Sequence, residues 1–499
     1  MRIGILLIYI LFLSNFFLRA QSKVENWDVF ELQLKGKRKG NPFVEVDLSA
    51  KFYQGGDTLK VSGFYDGDGI YKLRFMPHKK GIWQYLTASN DSKLHQKKGT
   101  FECIPAKYEN HGPVRVKDTF YFAYSDGKPF YPLGTTAYGW IQQNKETREQ
   151  TLESLKKSPF NKIRVALLPH APSGTNYDLY PFEGAGKDWD FTRFNAAYFA
   201  RYEHYIKEMQ KLGIQVDLFV FHPYDKGVWG FDTMNKEEQY LFLKYVNARF
   251  GAFRNIWWSM ANEFDLMPDR TTGDWDGYFR FFQENDPYNR LRSIHNAANW
   301  YDHSKHWVTH VSAQSEAWWK SNALRDTFKK PVLFDEFCYE GDGDNRTVAL
   351  NGDMIRHRFW LMTILGAYAT HGEAFKQKDT GYQFFRQGGA FEGSSAKELH
   401  VLKKVLDGIP GHLKPLGTDW RLNWIRAGVD EQYFLYYFGE YQNSSWTFTE
   451  LPENLKYQVD IIDTKNGTIV GQENTLGKGD TLALPGKPYM AVALQLVAQ

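Results

Sequence analysis

Hydrophobic and polar positions follow three successive textures along the chain. Over residues 22–108, short runs alternate with period two, as in Phe43–Leu48, Thr58–Ser62 and Ile70–Phe75, and Gly55-Gly56-Asp57 and Asp66-Gly67-Asp68-Gly69 punctuate them. Successive side chains of a strand point to opposite faces, so this pattern predicts a half-buried antiparallel β-sandwich. Over residues 112–415, continuous apolar runs alternate with helical periodicity. Eight runs read as strands: Phe130–Trp140, Lys162–Pro169, Ile214–His222, Asn255–Glu263, Leu291–Ala298, Trp307–Gln314, Val332–Glu336 and Ala367–Phe375. Helical spacing of apolar positions over Phe191–Leu212, ended by Gly213, recurs over Glu237–Phe250 and Met354–Leu365. Strands that are apolar throughout are buried on both faces, and eight such β/α units predict a (β/α)8 barrel. Two segments rich in turn residues, Ala171–Trp189 and Gly341–Asn351, follow the second and seventh strands and are expected at the barrel's catalytic face. Over residues 416–499 short strands return at Tyr433–Phe438, Gln458–Ile462 and Met490–Leu494, predicting a second small antiparallel β-sandwich. The expected fold is therefore multidomain, a central barrel flanked by a sandwich on each side.

Composition narrows the function. Met1-Arg2, the apolar run Ile3–Leu18 and the small residue Ala20 read as a signal peptide over residues 1–20, too short for a membrane span. No cysteine follows for lipid attachment, so a secreted or periplasmic protein without a membrane anchor is expected. A formal charge of +3 spread over 499 residues, with no basic block, excludes nucleic acid as a partner. Cys103 and Cys338 fall in different predicted domains, so neither a disulfide nor a zinc site is expected from them.

In a parallel barrel the C-terminal strand ends converge on one mouth. Here they carry Trp140, Arg164 with His170, His222, Asn262-Glu263, His295-Asn296, His310 with Gln314, Glu336, and His371 with Glu373. Two carboxylates at the ends of buried strands suit acid/base and nucleophilic work on a glycosidic bond. His-x-His, His-Glu-x-x-His, Gly-x-Ser-x-Gly and phosphate-loop motifs are all absent, which removes the metallohydrolase and serine hydrolase readings. A carbohydrate-binding barrel without activity is the alternative from another class, and two carboxylates retained in a dry mouth argue against it.

Asn262-Glu263 on the fourth strand and Glu336 on the seventh resemble the retaining (β/α)8 glycosidases that share this pair, with Arg164 matching their second-strand Arg and His222 the residue after the third. Trp27–Glu31, Asn41–Phe43, Gly63–Gly67 and Arg74–Pro77 are similar to the DUF5060-like sandwich found ahead of such barrels in bacterial glycoside hydrolases, which carry a DUF5605-like sandwich at the C-terminus. The resemblance implies that Glu336 is the nucleophile, that Glu263 is the acid/base, and that a plant or algal poly- or oligosaccharide is cleaved without a cofactor or metal. It further implies substrate contacts from Asn262, Arg164, His222, His310, Trp140 and His371. Those glycosidases place a Tyr on the sixth strand to orient the nucleophile. Here His310 or Gln314 would have to replace it.

Overall fold

The computed structural model describes residues 22–170, 177–225, 227–377, 381–382, 384–417 and 425–497. The predicted signal peptide lies outside them, as does the first part of the segment after the second strand. The centre is an eight-stranded parallel sheet. Its strands are β1 (Leu133–Thr136), β2 (Lys162–Ala166), β3 (Gln215–Phe221), β4 (Ile256–Ala261), β5 (Arg292–Ser293), β6 (Val311–Gln314), β7 (Val332–Glu336) and β8 (Tyr368–His371). They run in the order β5-β4-β3-β2-β1-β8-β7-β6. A parallel bridge between His295 and Ser312 joins the two edges, so the sheet closes on itself. Each of the eight predicted runs holds one of these strands, but the ladders are shorter than the apolar runs.

Helices packed around the barrel include α1 (Lys145–Lys156), α2 (Ala196–Lys211), α3 (Lys236–Phe250), α4 (Thr272–Asn285), α5 (Ser321–Phe328), α6 (Gly352–Ile364) and α7 (His400–Asp407). Asn235 caps α3 in a reciprocal capping box with Glu238, which satisfies amide donors that the first helical turn leaves free. Phe191 and Phe194, read from sequence as the start of a helix, belong instead to the strand Asp188–Phe194 of a hairpin. Helix α2 starts only after its cap, Asn195.

The barrel floor is closed by a three-stranded antiparallel sheet of Val114–Lys117, Tyr121–Tyr124 and Pro129–Phe130. Its Phe122 and Phe130 pack on Trp257, with Leu291, Leu333 and Tyr368 completing the cluster. Above this apolar layer lies an ionic one. Lys162 Nζ is 2.8 Å from both Asp217 and Asp335, and all three side chains are fully buried. Thr370 and Ser312 donate to Asp335 at 2.7 and 2.5 Å.

The N-terminal region has a five-stranded and a three-stranded sheet. Their apolar faces meet in one core, where Phe30 stacks on Phe101 at 4.1 Å and Phe52 on Phe75 at 4.3 Å. The larger sheet is mixed, because Lys23–Glu25 pairs parallel with Lys98–Ile104. Phe43–Leu48 is not a strand: Pro42 opens a single helical turn, Pro42–Glu45, and the strand begins at Leu48. This region docks on the barrel helices through buried charge. Arg74 donates to both oxygens of Glu203 on α2, at 2.6 and 2.9 Å, and Arg249 on α3 pairs with Asp66 at 2.7 Å. The C-terminal region has a six-stranded and a two-stranded antiparallel sheet. It packs against α6, where Tyr437 stacks on Trp360 at 5.3 Å and bonds His357 at 2.8 Å.

Candidate active site

β7 ends in Glu336, and at that point the β6–β7 ladder shifts register. Asp335 therefore reaches down to Lys162 while Glu336 enters the mouth. One carboxylate oxygen of Glu336, Oε1, gathers three partners from three strands. The Tyr138 hydroxyl, just beyond β1, donates to it. His295 Nε2, beyond β5, stands 3.1 Å away, and Arg164 on β2 is 3.6 Å away. Burial alone would raise the pKa of this carboxyl. The His295 imidazole, the Arg164 guanidinium and the Tyr138 hydroxyl outweigh it and bring the value down to about 2.

β4 ends at Ala261, and Asn262 and Glu263 follow. Glu263 adopts a left-handed backbone (φ 48°, ψ 52°), a conformation that costs a non-glycine residue energy and recurs at functional sites. Tyr224, from the segment after β3, donates to Glu263 Oε2 at 2.9 Å and accepts from the Asn262 amide. Gln314, at the end of β6, reaches Glu263 Oε1 at 3.1 Å when its amide nitrogen faces the carboxyl. Burial raises the Glu263 pKa, the negative charge of Glu336 raises it further, and the value reaches about 7. The two carboxyls are thus pushed in opposite directions. That division provides one group able to donate a proton and one that stays ionised near neutrality.

A chain of contacts supports this arrangement from below. Ser312 gives its proton to Asp335, and its oxygen lies 3.1 Å from His295 Nδ1. The layer beneath the mouth thereby fixes the ring that faces Glu336.

Arg164, Asn262, Glu263 and Glu336 lie together at the mouth. His222 borders the group but spends its ring on the backbone, 3.4 Å from Leu168 O and accepting from Tyr224 N at 3.2 Å. It holds Tyr224 in place rather than touching either glutamate. Three other expectations are corrected. His310 precedes β6 and lies at the floor against Trp257 and Phe122. Trp140 is fully buried against Tyr205 of α2. His371 of β8 faces outward beside its register partner Thr135 of β1, 3.2 Å from that hydroxyl, and stacks on Phe160. Neither His310 nor Gln314 bonds Glu336: the Tyr138 hydroxyl does so from β1, and His295 Nε2 faces it from β5. His295 stands among the strand ends in the sequence without any sign of this role, and Tyr138 and Tyr224 are not singled out there. The usable signal was a hydroxyl-bearing aromatic within three residues of a strand end.

Glu373 also lies outside the mouth. With Glu340 and His371 it forms a buried group whose ligand atoms all lie within 4.8 Å of one another. Cys103 and Cys338 are both free and buried. Among the described residues no helix is long and apolar enough to cross a membrane.

A family model described as "Apiosidase-like, catalytic domain" matches residues 116–375, and two domains of unknown function, DUF5060 and DUF5605, match residues 23–90 and 420–495. A crystal structure from Bacteroides vulgatus ATCC 8482, provisionally named a glycoside hydrolase, is 37% identical, with a TM-score of 0.89 over 96% of this chain and 100% of that one. A family 5 glycoside hydrolase from the same organism shares the fold at 18% identity, with a TM-score of 0.61 over 78% of this chain and 94% of that one. No curated protein matches the sequence.

Proposed function

Because the chain belongs to the apiosidase-like catalytic-domain family and is a glycoside hydrolase, we propose that it cleaves O-glycosidic bonds with retention, by double displacement. In this reading Glu336 attacks the anomeric carbon, and Glu263 protonates the departing oxygen and then activates water. The observation that carries it is the contrast around the two carboxyls: Arg164, His295 and Tyr138 converge on Glu336, whereas Glu263 is bonded by the neutral Tyr224 hydroxyl and its pKa is raised by burial and the charge of Glu336. Asn262, with its buried Oδ1 lacking a hydrogen-bond partner, is the candidate contact for a sugar hydroxyl next to the reacting carbon. Trp319 lies just after β6, on the mouth side, and is 46% exposed. Sugar rings stack on such faces, and a plant or algal poly- or oligosaccharide is the substrate class we assign. We read the flanking sheet pairs as β-sandwich modules, and residues 1–20 as a signal peptide removed on export.

Azide rescue on a panel of dinitrophenyl glycosides tests the roles. Glu263→Ala should keep the first step, accumulate the intermediate, and with azide release a glycosyl azide of retained configuration. Glu336→Ala should lose several orders of magnitude of activity on every substrate and give an inverted azide. The opposite pattern reverses the assignment, and a wild-type product of inverted configuration rejects retention.

A further inference from the structure

Behind β8, on the helix side of the barrel wall, Glu340, His371 and Glu373 bring two carboxyl groups and one imidazole together, buried to 3%, 1% and 0% exposure for Glu340, Glu373 and His371. We propose that these three side chains form a structural site for a divalent cation of the zinc class, which ties the loops after β7 and β8 to each other.

The first argument is an unmet one. His371 Nε2 and Glu373 Oε1 face each other at 3.6 Å, both buried and both without a hydrogen-bond partner. Two buried polar atoms left this way are costly. The other ring nitrogen, Nδ1, lies 3.2 Å from the Thr135 hydroxyl. In the tautomer that donates there, the Nε2 lone pair is aimed at the carboxylate, and a cation between them would take both as ligands. Ligating histidines are held by a hydrogen bond of this kind from the opposite ring nitrogen.

The second argument is charge. Among the described residues no Lys or Arg forms an ion pair with Glu340 or Glu373, so two carboxyl groups share a dry volume with one imidazole. A doubly charged ion cancels them, whereas an uncompensated pair carries a heavy desolvation cost.

Third, the ligands are held in place. Glu340 accepts from the Ser394 and Ser395 amides at 2.8 and 3.1 Å and from the Ser395 hydroxyl. Of about four lone-pair positions on a carboxylate, this leaves one free. Glu373 Oε2 accepts from the Glu392 amide at 2.8 Å, so Oε1 stays available. Side chains at Gly352 or Gly393 would collide with Glu340, their Cβ atoms falling 2.7 and 2.3 Å from its carboxyl. One imidazole and two carboxylates, with a remaining position for water, are a ligand set that zinc accepts.

Glu340 directly follows Tyr339, whose hydroxyl is 3.4 Å from that of Tyr138, the donor to Glu336. The ion would therefore brace the wall next to the nucleophile without touching substrate.

The test is metal content of the full-length, tag-free protein, grown with zinc and dialysed, measured by plasma mass spectrometry. Wild type should retain about one equivalent, and Glu373→Gln and His371→Gln less than about 0.1. After stripping with chelator, wild type should regain several degrees of melting temperature on adding zinc chloride, and Glu373→Gln should not. Equal metal in wild type and a folded variant overturns the proposal. So does a wild type that retains no zinc and is not stabilised by zinc, manganese or calcium chloride. Should both variants fail to fold, anomalous diffraction at the zinc edge from wild-type crystals decides: a peak among these three side chains supports the site, and a peak elsewhere or none overturns it.

Discussion

The two glutamates differ in what surrounds them rather than in what they are. Glu336 has an imidazole and a guanidinium beside it, while Glu263 has neutral donors and the negative charges of Glu336 and Asp265. If the ionised form of one and the protonated form of the other are both required, kcat/KM should trace a bell. Activity falls on the alkaline side as pH rises through about 7, and on the acid side as pH falls toward about 2. Both limbs belong to the coupled pair. Measuring kcat/KM from pH 4 to 9 checks the alkaline limb, and one that persists in Glu263→Gln would assign it to another group. The same shift bears on stability. The folded state holds the Glu263 proton more tightly than the unfolded chain, so stability is fully present below the ordinary carboxyl range and is lost as pH rises through about 7. At pH 8 that loss is roughly 3 kcal/mol. Glu263→Gln should therefore melt above wild type at pH 8 and close to it at pH 4, in a paired thermal scan. An equal difference at both pH values would contradict the raised pKa.

Among elements, the ionic layer inside the barrel is the most exposed to mutation. Lys162→Met leaves Asp217 and Asp335 buried around an uncharged side chain, and breaking such a group costs about 3–5 kcal/mol. The denaturation midpoint followed by tryptophan fluorescence should drop accordingly. Lys414→Met, at an exposed pair with Asp430, should change stability by under about 1 kcal/mol. Similar midpoints for the two variants would refute the reading. The eight strands were legible because parallel strands buried on both faces form unbroken apolar runs. Their ends were not, because an apolar run does not stop where the hydrogen-bond ladder stops. Phe130–Trp140 spans a residue of the floor sheet, the strand β1 and a turn whose Trp faces the helices. Trp307–Gln314 likewise begins before β6, which sends His310 to the floor. Glu263 and Glu336 survived this blurring because each sits within two residues of its ladder's end. The partner of Glu336 did not, since Tyr138 lies 198 residues away in sequence and no local pattern links them.

At the scale of the whole molecule, the described side chains that bond the two glutamates all come from the barrel region. The N-terminal sheets reach α2 and α3 through Arg74, Glu203, Arg249 and Asp66, on the helical flank rather than at the mouth. Ile82→Ser, at a 45% exposed position of the larger N-terminal sheet, should leave turnover of a chromogenic glycoside within about twofold of wild type. A hundredfold loss with the fold intact would mean that this region helps to build the site. The docking charges went unseen in the sequence because each looks like an ordinary surface residue until its partner is known.

The electrostatic coupling between Glu263 and Glu336 also sets a timing. In the double-displacement reading, attack by Glu336 converts its carboxylate into an uncharged ester. The negative charge that held the proton on Glu263 then disappears, while Arg164 remains nearby. The affinity of Glu263 for its proton falls at the stage when a base is needed to activate water. Release of the sugar restores the carboxylate and with it the proton on Glu263, so each half of the cycle prepares the ionisation that the next half requires.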